Sequence, residues 1–417
     1  MSAPTSVADE DWFKAPALKR IFELLNRDEG EVRVVGGAVR NALMGIAVTD
    51  VDLATTWPPE QVVERAEAAD IRAVPTGIDH GTVTLFVDGQ GFEITTLRHD
   101  AETDGRHAVV AFGTDWQVDA ERRDFTVNAL YADQEGRVVD LVGGLEDLET
   151  GTIRFIGEAD ERVAEDYLRV LRYFRFYAHY GSGRPDAAAL KACTRAREKL
   201  ATLSAERIWK EIRLLFSASD PGRALLWMRQ TGVLTAVLPE TEKWGIDSIA
   251  GLIATENALG WEPDAMLRLM AVIPPDPERV RSLAERLKMS RAEAERLRQW
   301  AEAPLLQPTA ATTVLDRLMY RHGVLPMCDR IRLALVSARG RAEADPAAMT
   351  EAAGHNRHLA HAKAWSKPEF PVSGGDLIAL GMEPGPAMGA RLQALEERWI
   401  ESNFMLSKGA LLEAGAE

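Results

Sequence analysis

The feature that most constrains the fold of this 417-residue chain is the stretch 32–54, VRVVGGAVRNALMGIAVTDVDLA. It predicts a short apolar strand, a turn at Gly36-Gly37, a helix of about two turns, and a second strand that carries Asp50 and Asp52. Residues two apart on a strand point to the same face. The two carboxylates are therefore expected side by side, close to a glycine turn that opens a helix.

This combination suits phosphoryl transfer, because carboxylates hold Mg²⁺ ions and N–H groups at a helix N-terminus receive phosphate oxygens. Arg40, in the first turn of the helix, adds a positive charge suited to a triphosphate. The structural alternative is a tight Gly-Gly turn followed by a solvated Asp-x-Asp. The close spacing of all these elements favours the functional interpretation. Two better-known phosphate loops, G-x-x-x-x-G-K-[ST] and G-x-G-x-x-G, are absent from the sequence.

The remaining periodicity predicts an α+β protein with a mixed-sheet α/β head. Helical spacing covers residues 16–29 and a proline-started segment that ends near residue 69, and three β-rich runs follow, IRAVPT, GTVTLFV and GFEITTLR. From about residue 160 onward no alternating strand pattern of any length remains. We expect four regions: a head at 1–155, a helical neck at 156–240, a helical body at 241–345 and a helical tail at 346–417.

Glu93 is a candidate third acidic residue of the site. It lies among apolar residues in the alternating run GFEITTLR and is expected on the polar face of the sheet. If this strand pairs with the one that carries the two aspartates, Glu93 joins them; otherwise it is a solvent-facing glutamate. The segment that follows, 98–118, is polar in its first half and is expected to be a mobile loop. Its histidines, His99 and His107, are expected to be exposed rather than metal-bound.

Two arginine-rich segments are further candidates. Arg122 and Arg123 precede a predicted short amphipathic helix and are placed to contact a nucleotide phosphate, although an isolated Arg-Arg pair is most often a solvated face. The segment ERVAEDYLRVLRYFRFYAHY predicts one long helix. One side of it carries Glu165, Asp166, Arg169, Arg172 and Arg175. This face either stabilises the helix through charge pairs three residues apart or hydrogen-bonds base edges and phosphates.

Composition limits the compartment and the partners. Two cysteines are too few for a disulfide framework or a zinc site, and no signal peptide or membrane span is visible, which predicts a cytoplasmic protein without membrane attachment. The net charge of −15 argues against a large nucleic-acid surface, but a local basic groove can lie on an acidic protein.

Taken together, these motifs resemble the class II tRNA nucleotidyltransferases, which are CCA-adding enzymes and bacterial poly(A) polymerases of the polymerase β nucleotidyltransferase superfamily. The resemblance rests on VVGGAVRNALMG and DVDLAT, then RRDFTVNAL, the glycine-rich connector that ends in IRFIG, EDYLRVLRYFRF, SAERIWKEI, and the tail SGGDLIALGMEPGPAMG. It covers residues 20–240 well and the tail moderately. The residue Asn41 departs from the family, in which an acidic residue usually follows the arginine.

The resemblance implies the activity and its site. Asp50 and Asp52 would hold two Mg²⁺ ions, and the substrates would be CTP, ATP and the 3′ end of tRNA, with no nucleic-acid template. The residues implied in nucleotide binding are Gly36, Gly37, Arg40, Arg123, Asp166, Arg169, Arg172 and Arg175. Asp166 and Arg169 would mimic a template base, and the loop Asp104-Gly105-Arg106 would help to switch between nucleotides. The alternatives are a CC-adding enzyme, an A-adding enzyme, a poly(A) polymerase and, more remotely, an RNA-binding protein that has lost catalysis.

Overall fold

The protein is seen here as a computed structural model that describes residues 5–77, 81–104, 107–242, 245–342 and 344–413, with the side chains of residues 99–111 left out of the description. The chain forms two compact units, Met1–Val237 and Leu238–Glu417. A sheet-containing unit followed by helices confirms the α+β prediction. The finer division into head, neck, body and tail stays a prediction.

Every strand in the described residues lies in the first unit. Those found in the described residues are β1 Val32–Val35, β2 Asp52–Thr55, β3 Arg72–Gly77, β4 Thr82–Val87, β5 Gln90–Thr96, β6 Arg98–Asp104, β7 His107–Phe112, β8 Leu130–Ala132 and β9 Val138–Asp140. Seven of them form one sheet in the order β3-β4-β5-β2-β1-β8-β9. The β2–β5 pair is parallel and the others are antiparallel, so the predicted mixed sheet is confirmed.

The helices of the first unit surround this sheet and continue beyond it. Their bounds are α1 Pro16–Leu25, α2 Gly37–Leu43, α3 Pro59–Ala68, α4 Trp116–Glu121, α5 Gly144–Thr150, α6 Ala159–Glu165, α7 Leu168–Tyr180, α8 Ala187–Ala196, α9 Ala205–Phe216, α10 Gly222–Gln230 and α11 Val233–Val237. The predicted lead-in helix and the proline-started helix are confirmed as α1 and α3. Both begin with proline in the first turn, where its missing N–H has no intrahelical partner to lose.

The two faces of the sheet belong to two different cores. Alternation along the central strands sends Val34 and Leu53 to a core shared with α1 and α3, whereas Val35 and Ala54 pack with Tyr131 in a second, smaller core. Asp52 lies two residues before Ala54 on β2 and therefore shares the face of this smaller core. Asp52 is thus exposed at the start of β2, on a face whose central residues are buried.

Two local predictions are wrong. The expected loop at 98–118 contains the antiparallel pair β6–β7, whose apolar second strand, HAVVAF, supplies enough β propensity for a ladder. The expected amphipathic helix after the arginine pair is a single 3₁₀ turn, Thr126–Asn128, followed by β8. Asp124 accepts hydrogen bonds from the Phe125 N–H and the Asn128 side chain at 2.9 Å, which favours a turn over a helix.

The described part of the second unit is helical, as predicted. Its helices are α12 Ser248–Leu259, α13 Ala265–Val272, α14 Pro277–Arg286, α15 Arg291–Glu302, α16 Thr312–His322, α17 Val324–Arg341, α18 Pro346–Ala364, α19 Gly374–Ala379, α20 Pro386–Glu401 and α21 Lys408–Glu413. None of the helices in the described ranges has the length and apolarity needed to cross a membrane.

Candidate active site

The acidic pair lies where β2 begins, in the middle of the sheet. Asp52 is the first residue of β2, and Asp50 lies in the irregular segment before it, where the Thr49 hydroxyl donates to Asp50 Oδ2 at 2.9 Å. The prediction that both aspartates lie on the strand is therefore wrong for Asp50. On one side of β2 the neighbouring strand explains this, because β1 ends at Val35 and offers no ladder partner to the residues before Asp52.

Glu93 lies directly beside Asp52. The parallel pair β2–β5 has Asp52 and Glu93 in register, which confirms the strand pairing on which the third carboxylate depended. Desolvation and the charges of Glu93 and Asp50 raise the pKa of Asp52, and the positive charge of Arg123 opposes this rise. Both side chains remain open to solvent. The site is therefore a concentration of negative charge with one cation close by.

The donor chemistry of these carboxylates fits a hard divalent cation such as Mg²⁺, which prefers oxygen ligands. Within the described residues, however, no three His, Cys, Asp or Glu side chains converge as a complete metal-binding group. Such a geometry fits an ion that takes only a few ligands from protein and the others from water and substrate phosphates. The pair Asp50 and Asp52 can supply those few ligands.

The glycine turn adjoins the same region. Gly36 has φ +73°, a conformation that L side chains rarely adopt, and a Cβ there would be 3.3 Å from the Asn128 carbonyl oxygen. The same Cβ position is 4.0 Å from Nη1 of Arg123. Helix α2 starts at Gly37 and is closed by Gly45 at φ +66°, as predicted. The turn thus brings the start of α2 against the Arg123 guanidinium.

Arg40, which the sequence predicts to bind a triphosphate, is buried. Its side chain is only 5% exposed, and its guanidinium donates to Asn41 Oδ1 at 2.9 Å, to Asn128 Oδ1 and to the Tyr180 hydroxyl at 2.9 Å. Burial lowers the pKa of Arg40. The amide of Asn41 supplies an acceptor without a charge. The structure thus places Arg40 inside the protein, behind the glycine turn, rather than at its surface.

Arg123 is held in place by a buried carboxylate that the sequence analysis missed. Its Nε and Nη2 donate to Asp119 Oδ2 at 3.1 and 2.9 Å, and its Nε also lies 3.2 Å from the Tyr131 hydroxyl. Burial alone would raise the pKa of Asp119, but the charges of Arg123 and Arg122 outweigh it and hold that pKa below its usual range. The sequence contains a signal for these ion pairs, because Asp119 precedes Arg122 and Arg123 by three and four residues, the spacings at which side chains meet on a helix.

The predicted long helix at 161–180 is broken into α6 and α7. Asp166 ends α6 in an extended conformation, and its Oδ1 accepts from the Leu168 N–H at 3.1 Å at the start of α7. An Asp side chain that captures a backbone N–H in this way stabilises a helix start, which explains the interruption. Its other oxygen accepts from Arg207 on α9 at 2.6 Å, a partner within the SAERIWKEI motif.

The arginines of α7 bind acids on three separate segments. Arg169 pairs with Glu165, Arg172 with Asp124 at 2.8 Å, and Arg175 with Glu211 of α9 at 2.8 Å. Desolvation raises the pKa of Glu211, and the two nearby arginines partly oppose this. The row predicted as one charged face is therefore largely engaged with the protein, although Arg172 stays partly exposed.

Two chains of hydrogen bonds connect α6 and α7 to Arg123 and to Arg40. The Arg162 guanidinium donates to the backbone carbonyl of Arg123 at 2.7 Å, and the Arg162 carbonyl accepts from Arg169 at 2.7 Å. The second connection passes from Arg172 through Asp124 and Asn128 to Arg40. The site residues from 36 to 175 are thus gathered in one unit. Of the predicted switching loop, Gly105 and Arg106 lie outside the described residues, as does the side chain of residue 104.

Family models match the chain over most of its length. The poly(A) polymerase head domain matches residues 32–154, the probable RNA- and SrmB-binding site of polymerase A matches 184–244, and a putative second domain of tRNA nucleotidyltransferase matches 261–414. The first match contains the glycine turn, the acidic pair and Arg123.

Individual relatives align over nearly the whole chain. The mitochondrial CCA tRNA nucleotidyltransferase 1 of Mus musculus is 34% identical over 95% of this chain and 88% of its own length, and the CCA-adding enzyme of Leuconostoc mesenteroides is 32% identical over 91% of each. The crystal structure of the Bacillus stearothermophilus CCA-adding enzyme in complex with CTP superposes with a TM-score of 0.69 at 25% identity, covering 93% of this chain and 92% of that one. The Thermotoga maritima CCA-adding enzyme complexed with tRNA has a TM-score of 0.60 at 19% identity over 96% and 94%, which indicates a shared fold.

Proposed function

The chain belongs to the family of CCA-adding tRNA nucleotidyltransferases and poly(A) polymerases, and from this premise we propose that it adds CMP, CMP and AMP to the 3′ end of tRNA. The nucleotides come from CTP and ATP, and no nucleic-acid template is used. In each cycle the RNA 3′-hydroxyl oxygen forms a bond to the α-phosphorus of the nucleotide, the bond to pyrophosphate breaks, and the hydroxyl proton is released.

The observation that carries the proposal is the arrangement around Asp52. It lies in register with Glu93, and its electrostatic neighbours include Asp50 and Arg123. Nη1 of Arg123 lies 4.0 Å from the position that a Cβ on Gly36 would take, so Arg123 is next to the glycine turn. Two groups needed for phosphoryl transfer, a cation-binding acidic pair and a phosphate-binding turn with its own cation, thus meet on one face of the sheet.

Enzymes of this family generally use divalent metal ions, and we propose Mg²⁺, two ions per site, held by Asp50 and Asp52. When bound, such ions activate the attacking hydroxyl and stabilise the charge of the departing pyrophosphate. Glu93 increases the negative potential that attracts them. The backbone N–H groups at Gly36-Gly37 receive phosphate oxygens. Arg123, fixed by its buried carboxylate, orients the nucleotide.

Nucleotide choice is assigned to the junction of α6 and α7. Asp166 supplies carboxylate oxygens as acceptors and Arg169 supplies guanidinium donors, so together they can read the Watson–Crick edge of a base as a template would. Both side chains also have protein partners, which restrict their orientations. Arg172 and Arg175 hold α7 in place through acidic partners on neighbouring segments.

The test is the incorporation of labelled CTP and ATP into a tRNA transcript that lacks its 3′ CCA, with Mg²⁺ present. We expect the addition of C, C and A followed by a stop, and loss of this activity in Asp50→Ala/Asp52→Ala. The matched control is Glu64→Ala/Glu67→Ala, which removes two exposed carboxylates from α3 of the same unit.

The other outcomes identify other members of the family. Addition of C only or A only would assign a partial-addition enzyme, and unlimited addition of A would assign a poly(A) polymerase. Binding of tRNA without incorporation of any nucleotide would refute catalysis and leave an RNA-binding protein.

Two further proposals concern the chain as a whole. A cytoplasmic location is supported by its two cysteines, Cys193 and Cys328, both of which are free thiols. We also propose a four-part organisation, with a catalytic head at 1–155, a neck at 156–240, a body at 241–345 and a tRNA-binding tail at 346–417. The first two family matches support the head and the neck, and the third spans the body and the tail together.

A further inference from the structure

Among the residues that the structure describes, no carboxylate bonds directly to the buried charge of Arg40. Its three side-chain hydrogen-bond partners, Asn41, Asn128 and Tyr180, are all neutral acceptors. The carboxylate that acts on it through space, Asp124, is itself paired with an arginine of α7. A buried cation in a protein is normally compensated by an anion. The positive field of Arg40 therefore remains available to an anion outside its own set of contacts.

This field is directed to the glycine turn. A Cβ on Gly37 would lie 3.7 Å from Nη2 of Arg40, so the guanidinium is folded back to the first turn of its own helix. The anion that suits this positive field is the triphosphate of the incoming nucleotide.

Tyr180, the last residue of α7, fixes the position of this charge. Its hydroxyl accepts from Nη2 of Arg40 at 2.9 Å, and its ring lies 3.9 Å from the guanidinium carbon of Arg40. An aromatic face and a hydroxyl hold the cation from two directions without neutralising it. A carboxylate at this position would also orient Arg40 but would cancel its field at the turn.

We propose that Tyr180 is a positioning residue for the nucleotide triphosphate, acting through Arg40. This inference rests on the proposed function, because it assigns a role in the same nucleotide site. Tyr180 holds the guanidinium against the Gly36-Gly37 turn, so that the charge faces the phosphates without direct contact between the tyrosine and the substrate. Helix α7 then contributes to both ends of the nucleotide site: to base recognition at its start, and to the phosphate turn at its end.

The test is Tyr180→Phe, which keeps the aromatic ring and removes the hydroxyl acceptor. We expect the dissociation constants of CTP and ATP, measured with Mg²⁺ and without RNA, to rise by the same factor of about ten, the size expected for a hydrogen bond to a charged group. The factor is the same because the affected contact is with the phosphates, which both nucleotides share. In the incorporation assay, KM should rise while kcat stays nearly constant.

The matched control is Tyr177→Phe on the same helix. The Tyr177 hydroxyl donates to the Gly183 carbonyl at 2.8 Å and does not contact Arg40, so this variant should retain both dissociation constants. Thermal midpoints of the two variants give the structural contribution of each hydroxyl. The proposal is overturned if Tyr180→Phe loses thermal stability but retains both dissociation constants, or if only one nucleotide is affected. If the wild-type protein binds both nucleotides but incorporates neither, the proposed function fails while the role of Tyr180 is still decided by the binding data.

Discussion

Substituting Asn for Asp119 tests whether this buried carboxylate holds Arg122 and Arg123 in place beside the candidate active site. The Asp119 side chain is 1% exposed and lies under two arginines, Arg122 and Arg123, while the Tyr131 hydroxyl donates to its Oδ2 at 2.8 Å. Removing one partner of a buried ion pair costs about 3–5 kcal/mol, because the remaining charge is left uncompensated. We expect Asp119→Asn to lower the free energy of unfolding of the first unit by this amount.

The pH dependence of stability provides an independent test of the Asp119 ion pair. The pKa of Asp119 is lower in the folded protein than in the unfolded chain, so its contribution to stability is present above the unfolded pKa and is lost as the pH falls through the folded value. The unfolded pKa of an Asp is about 3.9, so the loss occurs below about pH 4. In Asp119→Asn this contribution is absent at every pH, and the fall in stability in acid should be less steep.

The assay is urea-dependent hydrogen exchange of β8, which contains Tyr131 and reports on the first unit alone. The control is Asp28→Asn, which removes the charge from an exposed pair with Arg65 at 2.7 Å in the same unit. It should change stability by less than about 0.5 kcal/mol. A cost below about 1 kcal/mol for Asp119→Asn, or an unchanged acid dependence, would refute this account of the buried pair.

Three further results are expected. Gly36→Ala forces a Cβ toward the Asn128 carbonyl and should abolish incorporation. The control is Gly89→Ala, at a similar φ of +81°, where the added Cβ would have no atom within 4 Å. It should only lower the free energy of unfolding by about 1–2 kcal/mol. Glu93→Gln removes a charge that raises the pKa of Asp52, so the acid limb of the pH–kcat/KM profile should move to lower pH; movement to higher pH would contradict the electrostatic assignment. Arg207→Ala breaks a partly exposed pair, so the thermal midpoint should hardly change while misincorporation measured with mixed CTP and ATP increases.

The parts of the site that could be predicted from the sequence are those in which function depends on local spacing. The glycine turn, the two-turn helix and the adjacent carboxylates all lie within about twenty residues, and each element has its own sequence signal. Gly36 illustrates this, since its positive φ is required by a turn that two adjacent glycines already indicate. Glu93 was predictable only conditionally, because strand pairing is a non-local property that alternation alone does not determine.

The rest depends on contacts between distant segments. The partners of Arg40 come from positions up to 140 residues away, so burial and a missing counter-charge could not be read from its neighbours. The break between α6 and α7 was missed because a 3.6-residue periodicity continues across it, whereas the Asp166 side chain takes a backbone N–H at the junction. The β6–β7 pair could not be predicted from periodicity because its first strand is almost entirely polar and only the second strand has a short apolar run.

The arginines of α7 show how one sequence pattern can hide several separate roles. Their step of three residues is typical of a surface charge ladder, yet each of them forms an ion pair with an acid on a different segment: Glu165, Asp124 and Glu211. A surface charge ladder would stabilise only its own helix. These three ion pairs instead hold α7 against three other parts of the unit: α6, the segment that follows Arg123, and α9. Any displacement of α7 is therefore opposed by three acidic groups, one of which, Asp124, also connects through Asn128 to Arg40. Substitutions on α7 that alter nucleotide choice should for this reason alter the rate of incorporation as well.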